Sequence, residues 1–412
     1  QQHNHIRYGE QLDALFSRDW QRGAIHYADG VAAQLPADNR YQLSAKLNHI
    51  NATHWQFMLA DLSNPSQQTT PSWQATIYSD ALDYGAIHLE RVQLNVQNTP
   101  QRLHGTLHSQ QLKGQINYPR QQQQPLDIQL QYAHLDWSPS SNPTTTPNPP
   151  NPLNEPDPRQ LPAIRLQCDD LQINQAKLGQ FSLRSKKTPQ GLRLEKVELS
   201  GGQLTLAAQG HWQQKQAQAN TVLNGRLHSK NFGKLLQDLH LGQYLYDAES
   251  TLNFKFNWPG HPGQIHAASL QGNADLHIGA GRLSEIKPGI TRVLGLLSLD
   301  ALSRRLRLDF TDLLYDGYAF DDIHGVFDLR NGSAHTNSLL IRGASTDLEI
   351  GGRIGLIARD FDQIAYATPK LDAILPIIST VTAGPIAGLV ALLAQQLLSE
   401  EIKGSWQMRL QL

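Results

Sequence analysis

A strand pattern begins at Thr251-Leu252-Asn253-Phe254-Lys255-Phe256-Asn257-Trp258, where every second side chain is apolar. Successive side chains of a β-strand point to opposite faces, so this segment predicts a strand with one apolar and one hydrated face. About twenty segments of the chain share this alternation. They are joined by turns such as Asn331-Gly332 and Gly201-Gly202, which favour hairpins. The pattern predicts a mainly β fold, built as a long curved antiparallel sheet with a few short helices.

The apolar face of such a sheet has to be covered. A second sheet would cover it in a sandwich, whereas lipid chains would cover it in an elongated groove with an apolar interior. The residues alone leave both arrangements open. The side chains predicted to line a groove are Leu252, Phe254, Phe256, Leu270, Leu276, Ile278, Leu306, Leu308, Phe310, Ile323, Phe327, Leu329, Leu348, Ile350, Ile354 and Leu356.

The composition argues against nucleic-acid binding and against any site that needs several cysteines. The 412 residues include 35 Lys and Arg against 36 Asp and Glu, and only 17% are charged. Neutralising many phosphates needs an excess of positive charge, so nucleic acid is not an expected partner. The single cysteine, Cys168, rules out an intramolecular disulfide and a multi-cysteine metal site.

The sequence contains no recognisable catalytic or cofactor motif. Gly279 and Gly281 form a GxG without the further glycine and βαβ context that dinucleotide binding requires. His104 and His108 would lie ~13 Å apart on a strand, too far to share a metal ion. The acidic residues between Asp309 and Asp322 lack EF-hand spacing, so we interpret them as turn and cap carboxylates. We therefore expect neither enzyme activity nor a cofactor.

Compositional changes divide the chain into segments. Eight of the 22 prolines fall between Ser138 and Gln160, which predicts a solvated loop or linker. Because alternation resumes after it, a loop inserted in one sheet is favoured over a domain boundary. The predicted segments are a β-sheet part at 1–137, the loop at 138–160, a β core at 161–362 with short helices near 232–246 and 291–302, a helical segment at 363–403 and a terminal strand at 404–412.

Residues 373–399 contain no charged side chain. Pro376, Gly384 and Pro385 split the stretch, so we predict two short helices, the second from Ile386 to Leu398. A helix that is apolar nearly all round is buried in protein or in lipid. The residues predicted to close the groove or enter a membrane are Ile386, Leu389, Val390, Leu393 and Leu397.

A basic cluster contains Arg292, Arg304 and Arg305. Helix-end electrostatics would explain the last two, at the end of a helix near Leu302. Contact with lipid phosphate groups would explain all three, because a guanidinium suits phosphate geometry. Both interpretations stay open.

The motifs of the C-terminal half resemble a known family. The segments 292–299, 304–313, Phe256–Pro262 and Ala358–Gln363 are similar to the C-terminal region of YhdP proteins. These proteins belong to the AsmA-like superfamily, which also contains TamB. The resemblance is dense from about Arg165 to Leu398 and thinner before it.

The resemblance implies a bridge-like lipid transporter. Members of this family are anchored in the inner membrane, cross the periplasm of Gram-negative bacteria, and conduct phospholipids along an apolar β-groove to maintain the outer membrane. The expected partners are phospholipids, both membranes, and outer-membrane or periplasmic proteins; the family has no catalytic residues. Since the chain starts at Gln1 without a signal or anchor, we expect it to be part of a longer protein. The alternative is a scaffolding β protein that assists outer-membrane assembly through protein contacts.

Overall fold

The computed structural model describes residues 3–52, 72–85, 87–120, 124–137, 157–215, 218–283, 318–343, 346–358, 360–370 and 406–411. The chain divides into two units. Unit 1 contains the described residues up to Gly202, and unit 2 contains those from Gln203 onward. Both are built from strands, so the prediction of a mainly β fold is confirmed.

Unit 1 is a sheet in which each strand pairs with the next one along the chain. Its strands are β1 (Asn4–Tyr8), β2 (Leu12–Phe16), β3 (Gly23–Tyr27), β4 (Arg40–Asn51), β5 (Ser72–Tyr84), β6 (Ile87–Asn98), β7 (Arg102–His108), β8 (Leu112–Pro119), β9 (Leu126–Leu135), β10 (Ile164–Ile173), β11 (Ala176–Thr188) and β12 (Gly191–Ser200).

Three pairs in unit 1 are parallel: β3 with β4, β4 with β5, and β9 with β10. The predicted antiparallel sheet is confirmed at the other described pairs of unit 1 and is wrong at these three. It assumed that parallel neighbours need helical crossovers. Residues 28–39 instead return the chain from the end of β3 to the start of β4 without a helix.

The pairing of β9 with β10 spans the proline-rich segment. Ile128 lies opposite Leu166, and Leu130 lies opposite Cys168. The sheet of unit 1 therefore continues directly from one side of residues 138–156 to the other, although these residues themselves lie outside the described part of the chain.

Unit 2 is also a sheet, and its described pairs are all antiparallel. The elements are β13 (Leu204–Lys215), β14 (Gln218–Ser229), α1 (Phe232–Asp238), β15 (Leu245–Asp247), β16 (Ser250–Pro259), β17 (Gln271–Ile278), β18 (Gly281–Leu283), β19 (Tyr318–Arg330), β20 (Ser333–Gly343), β21 (Thr346–Gly355), β22 (Phe361–Pro369) and β23 (Trp406–Gln411). In the sheet, β13, β14, β16, β17 and β19 to β23 follow one another, and β15 pairs with β18 beside the start of β19.

The helix predicted near 232–246 is shorter in the structure. Asn231 caps α1 by accepting a hydrogen bond from the backbone N–H of Lys234 at 2.9 Å, and the helix ends at Asp238. Gly242 then adopts a positive φ of 116°, which favours glycine and interrupts a helix. Leu245 pairs with Leu283, so the end of the predicted helix is a strand.

The predicted start of the C-terminal helical segment is also wrong. Residues 363–369 belong to β22, where Ala365 lies opposite Ile350 of β21. Apolar neighbours such as Ile364 and Ala365 blur the alternation in this strand, so its structure comes from pairing with β21 and β23. Residues 371–405, with the rest of that segment, and the helix predicted near 291–302 lie outside the described residues.

The turn between β19 and β20 is the two-residue hairpin expected for Asn331-Gly332. Asn331 has φ 50° and Gly332 has φ 70°, and the flanking residues Arg330 and Ser333 pair. These dihedrals match the primed turns that suit the twist of a hairpin.

We expect Gly332→Ala to destabilise unit 2 by about 1–2 kcal/mol, because a side chain in left-handed backbone is strained. The added methyl would also collide with the Ile357 side chain. Thermal unfolding followed by circular dichroism measures the loss. Gly202→Ala is the control, since its Cβ would meet open space; equal melting temperatures for both variants would contradict the turn assignment.

Candidate functional site: an apolar face

Apolar residues of unit 1 lie in continuous rows across the strands. Residues directly opposite each other in neighbouring strands share a face of the sheet, so register defines each row. Row A crosses all twelve strands as Ile6, Ala14, Ile25, Leu43, Ala75, Val96, Gly105, Ile116, Ile128, Leu166, Leu183 and Val197. Row B runs beside it as Tyr8, Leu12, Tyr27, Ala45, Ile77, Leu94, Leu107, Gly114, Leu130, Cys168, Phe181 and Leu199.

The opposite face of unit 1 is polar at every corresponding position. The row that lies between rows A and B, on the other side of the sheet, is Arg7, Asp13, His26, Ser44, Thr76, Asn95, Thr106, Gln115, Gln129, Gln167, Ser182 and Glu198. Neutral side chains dominate its centre, where Gln115 donates to Gln129 at 2.8 Å. The low charge of the chain therefore reflects one apolar face and one face of mostly neutral polar residues.

The apolar rows are only partly covered by protein. Leu43, Val96, Ile116, Ile128 and Leu166 are half-buried, whereas such side chains are usually fully buried in a closed core. With neighbouring strands ~4.8 Å apart, twelve strands extend the rows over ~53 Å. Unit 1 thus presents a long strip of apolar side chains that retains accessible surface.

Unit 2 carries the same arrangement. Row C is Leu206, Leu227, Leu252, Leu276, Gly325, Leu339, Ile350 and Ala365, and row D is Gly210, Leu223, Phe256, Gly272, Leu329, Ala334, Ile354 and Phe361. Phe254 and Phe327 lie between the two rows, on either side of Ala274. Ile278, Ile323 and Leu348 lie in the next row beyond row C.

The structure thus brings eleven of the predicted lining residues onto one face of unit 2. They are Leu252, Phe254, Phe256, Leu276, Ile278, Ile323, Phe327, Leu329, Leu348, Ile350 and Ile354. Leu270 precedes β17 and packs against the cluster of Ala274, Leu329 and Ala334. Leu356 follows β21 and is 39% exposed, so it belongs to a turn rather than to the face.

Packing is uneven along this face. Around α1 and β15, a buried cluster joins Leu245, Phe320 and Ile323, with Phe232 of α1 packed against it. Farther along, the Phe254 and Phe256 rings stack with centroids 4.9 Å apart, and both side chains stay half-buried. The helix end of the face is covered by protein, whereas the Phe254 and Phe256 side chains keep accessible surface.

The remaining predicted site residues cannot be placed in the described structure. Leu306, Leu308 and Phe310, the cations Arg292, Arg304 and Arg305, and the helix residues Ile386, Leu389, Val390, Leu393 and Leu397 lie outside the described residues. Within the described part of the chain, no helix is long and apolar enough to cross a membrane. The same residues contain no group of three or more His, Cys, Asp or Glu side chains suited to a metal ion.

Sequence reasoning named no lining residue in unit 1. The alternation was visible there, for example at Leu94 and Val96, but the match of rows A and B across all the strands depends on register. Only the pairing shows that Ile116, Ile128 and Leu166 meet in one row.

Several histidines of the described residues pair with carboxylates, and others contact neutral side chains. His104 contacts Asn117 at 2.7 Å, and Asp322, which we had expected in a turn or cap, lies in β19 and pairs with His277 at 2.5 Å. Asp83 contacts His88 at 2.5 Å and His49 at 2.8 Å. These hydrogen bonds, first from His88 and then from His49, lower the pKa of the Asp83 carboxyl.

We expect the contacts of Asp83 with His88 and His49 to make the stability of the fold depend on pH in the acid range. A lowered carboxyl pKa stabilises the fold above the carboxyl's unfolded pKa of about 3.9, and that contribution is lost as the pH falls through the lower folded pKa. The melting temperature is measured between pH 2.5 and 5. We expect it to fall less steeply with decreasing pH in Asp83→Asn than in the wild type. Asp80→Asn, on the same strand, is the control; an unchanged profile for Asp83→Asn would refute the contribution.

Comparison with known proteins matches this sequence to one family model and to one curated relative. The model of the YhdP protein family matches residues 1–409. The intermembrane phospholipid transporter YhdP of Escherichia coli K12 is 26% identical over 241 residues, which are 58% of this chain and 19% of the relative. The chain thus matches about a fifth of that protein's length. No solved structure matches the chain.

Proposed function

Because this chain belongs to the YhdP family, we propose that its apolar face binds the acyl chains of phospholipids on their way between two membranes. The observation that carries the proposal is the unbroken register of rows A and B across twelve strands. A path for lipid must contain no charged or strongly polar interruption, and neither row has one. The printed name of the E. coli relative, an intermembrane phospholipid transporter, supports the same activity.

Burial of acyl chains against this face is favourable in free energy. Each methylene removed from water contributes ~0.8 kcal/mol, so two chains of a phospholipid supply a large stabilisation without a second sheet. The polar face, with its Ser, Thr, Asn and Gln side chains, can remain in water. One sheet thereby separates an apolar path from the aqueous medium.

The finer features of the proposal follow from the family. The face of each unit lines a groove, through rows A and B in unit 1 and through rows C and D in unit 2. The candidates outside the described residues also line a groove, and Arg292, Arg304 and Arg305 contact headgroups. The C-terminal segment closes the groove or meets the acceptor membrane. The protein works in the periplasm, anchored to the inner membrane, and serves outer-membrane lipid homeostasis without enzyme activity. Outer-membrane or periplasmic proteins would be its further partners.

Extraction of the purified chain with organic solvent tests the proposal. We expect mass spectrometry of the extract to find phospholipid in at least stoichiometric amount. A scaffolding protein that acts only through protein contacts would yield none. The extraction is repeated after the protein has been incubated with a defined phospholipid, which distinguishes a protein that cannot bind lipid from one that lost its lipid during purification. Absence of phospholipid from both extracts would overturn the proposal.

A further inference from the structure

One edge of the apolar face in unit 1 changes from aliphatic to amphipathic. The row next to row A, which we call the edge row, contains Tyr41, Trp73, Asn98, Leu103 and Tyr118. Tyrosine and tryptophan combine an apolar ring with a polar group, and they gather where hydrocarbon meets water. The edge row therefore marks a transition between apolar and aqueous surroundings.

A cation is fixed at this edge. Arg120 follows the end of β8, and its Nη2 donates to Oδ1 of Asn98 at 2.6 Å. Its backbone N–H donates to the carbonyl oxygen of Gln101 at 3.1 Å. Asn98 is only 3% exposed and lies in the edge row between Trp73 and Leu103. Its side chain thus holds the guanidinium on the apolar side of the sheet.

The positive charge of Arg120 is not neutralised by the described part of the chain. Arg120 is half-buried, its Nε is fully enclosed without a hydrogen-bond partner, and no carboxylate among the described residues forms an ion pair with it. Removing charge from water is unfavourable unless an opposite charge compensates it. A guanidinium has five N–H donors, and the hydrogen bond to the Asn98 amide oxygen uses one of them.

We infer that Arg120 binds the phosphate of a phospholipid whose acyl chains lie over row A. This inference rests on the proposed function, and it identifies the position of the headgroup. An anionic phosphate provides both the missing charge and acceptor oxygens in the geometry that Arg prefers. Asn98 is a positioning residue that orients the guanidinium.

The dimensions of β8 fit this placement. The strand runs from Leu112 to Pro119, so the distance from Arg120 to Leu112 is ~27 Å at ~3.4 Å per residue. One leaflet of a bilayer is ~15 Å deep, half of its hydrocarbon core. Acyl chains that start at Arg120 would therefore pass Tyr118 and reach Ile116 in row A. The headgroup would stay at the edge of the face, and the chains would lie along the strands.

Binding of two lipids with identical chains tests the inference. Dioleoylphosphatidic acid carries a phosphate, whereas dioleoylglycerol lacks it. The purified full chain is incubated with each lipid in detergent, separated by size exclusion, and analysed by mass spectrometry for retained lipid. We expect the wild type to retain phosphatidic acid about tenfold better, and Arg120→Gln to remove that preference while retention of dioleoylglycerol is unchanged.

Two further variants separate phosphate binding from a structural role. Arg120→Lys should recover part of the preference, because it restores the charge without the planar fork. Arg102→Gln is the matched control, since Arg102 is exposed and sits in β7 next to Leu103, on the polar face. An equal loss in both glutamine variants would indicate a general effect of charge and overturn the assignment to Arg120.

The outcomes distinguish the inference from the proposed function. If the wild type retains neither lipid, the proposed function fails. If it retains both equally and Arg120→Gln changes nothing, the acyl-binding face stands and the phosphate site is wrong. Competition with inorganic phosphate distinguishes the two sources of the anion: we expect no displacement of phosphatidic acid at millimolar phosphate, and efficient displacement would point to a free-anion site and contradict the lipid assignment.

Discussion

Replacement of Leu166 by aspartate should reduce phospholipid transfer by on the order of 100-fold. Leu166 lies near one end of row A, between Ile128 and Leu183. A charge in an apolar lipid path costs ~2.5 to 3.5 kcal/mol, which a passing acyl chain would meet as a barrier. Row B runs beside row A at this strand, with Cys168 two residues from Leu166, so acyl chains that cross β10 pass close to position 166. Transfer of a fluorescent phospholipid between donor and acceptor vesicles, compared between the variant and the wild type, measures the effect.

Gln167→Asp is the matched control for this substitution. Gln167 is the next residue of the same strand, is exposed, and belongs to the polar row opposite Gln129 and Ser182. The same new charge on the hydrated face should leave transfer within about twofold of wild type, since the group stays in water. Circular dichroism checks that both variants are folded. Full transfer by a folded Leu166→Asp protein would remove row A from the path.

The corresponding pair in unit 2 is Phe254→Asp with Asn253→Asp. Phe254 lies between rows C and D, and Asn253 is its exposed neighbour on the other face. Ile350→Asp, in row C, provides a second position on the same face. We expect the two face variants to stall transfer and Asn253→Asp to support it. Normal transfer by both face variants would show that the apolar side chains of unit 2 do not line the path.

The largest effect on stability should come from Trp258→Ala. Trp258 is 2% exposed, and its indole N–H donates to the carbonyl oxygen of His261 at 3.2 Å. It lies opposite Thr221, whose hydroxyl is fully buried and donates to the carbonyl oxygen of Gly260 at 2.8 Å. Truncation of a large buried ring costs ~3–5 kcal/mol through lost burial and the cavity left behind.

Thermal and urea unfolding measure this loss. In a unit of this size, ~3–5 kcal/mol corresponds to a fall in melting temperature of about 10 °C. Trp258→Phe should lose much less because it keeps most of the ring volume. Trp137→Ala is the control, since that side chain is 45% exposed. A loss below about 1 kcal/mol for Trp258→Ala would show that the end of β16 is less tightly packed than described.

The sequence predicted the class of the fold and one face of unit 2 because both depend on local pattern. Alternation at Leu252, Phe254 and Phe256 is a property of one strand, and the Asn331-Gly332 turn is a property of two residues. Prediction was wrong where distant pairing decided the structure. β22 and the parallel neighbours β3, β4 and β5 are defined by their partners, not by their own residues.

Arg120 shows the same limit for the site. In the sequence it is one arginine after a strand, 22 positions from Asn98. Its place at the edge of the apolar face depends on the pairing of β6, β7 and β8, which puts Asn98, Leu103 and Tyr118 in one row. The residues next to Arg120 in the sequence predict neither its half-buried position nor the lack of an ion-pair partner among the described residues.

The amino-acid pattern alone determined that this protein has strands with one apolar and one polar face, because the side chains of a strand alternate with a period of two. The tertiary structure decided that these faces join into rows across whole units. A shift of one residue in the register of any strand would turn its apolar side chains to the water and break the row. Register is fixed by contacts between residues far apart in the chain, so the continuity of rows A and B emerges only from the folded sheet.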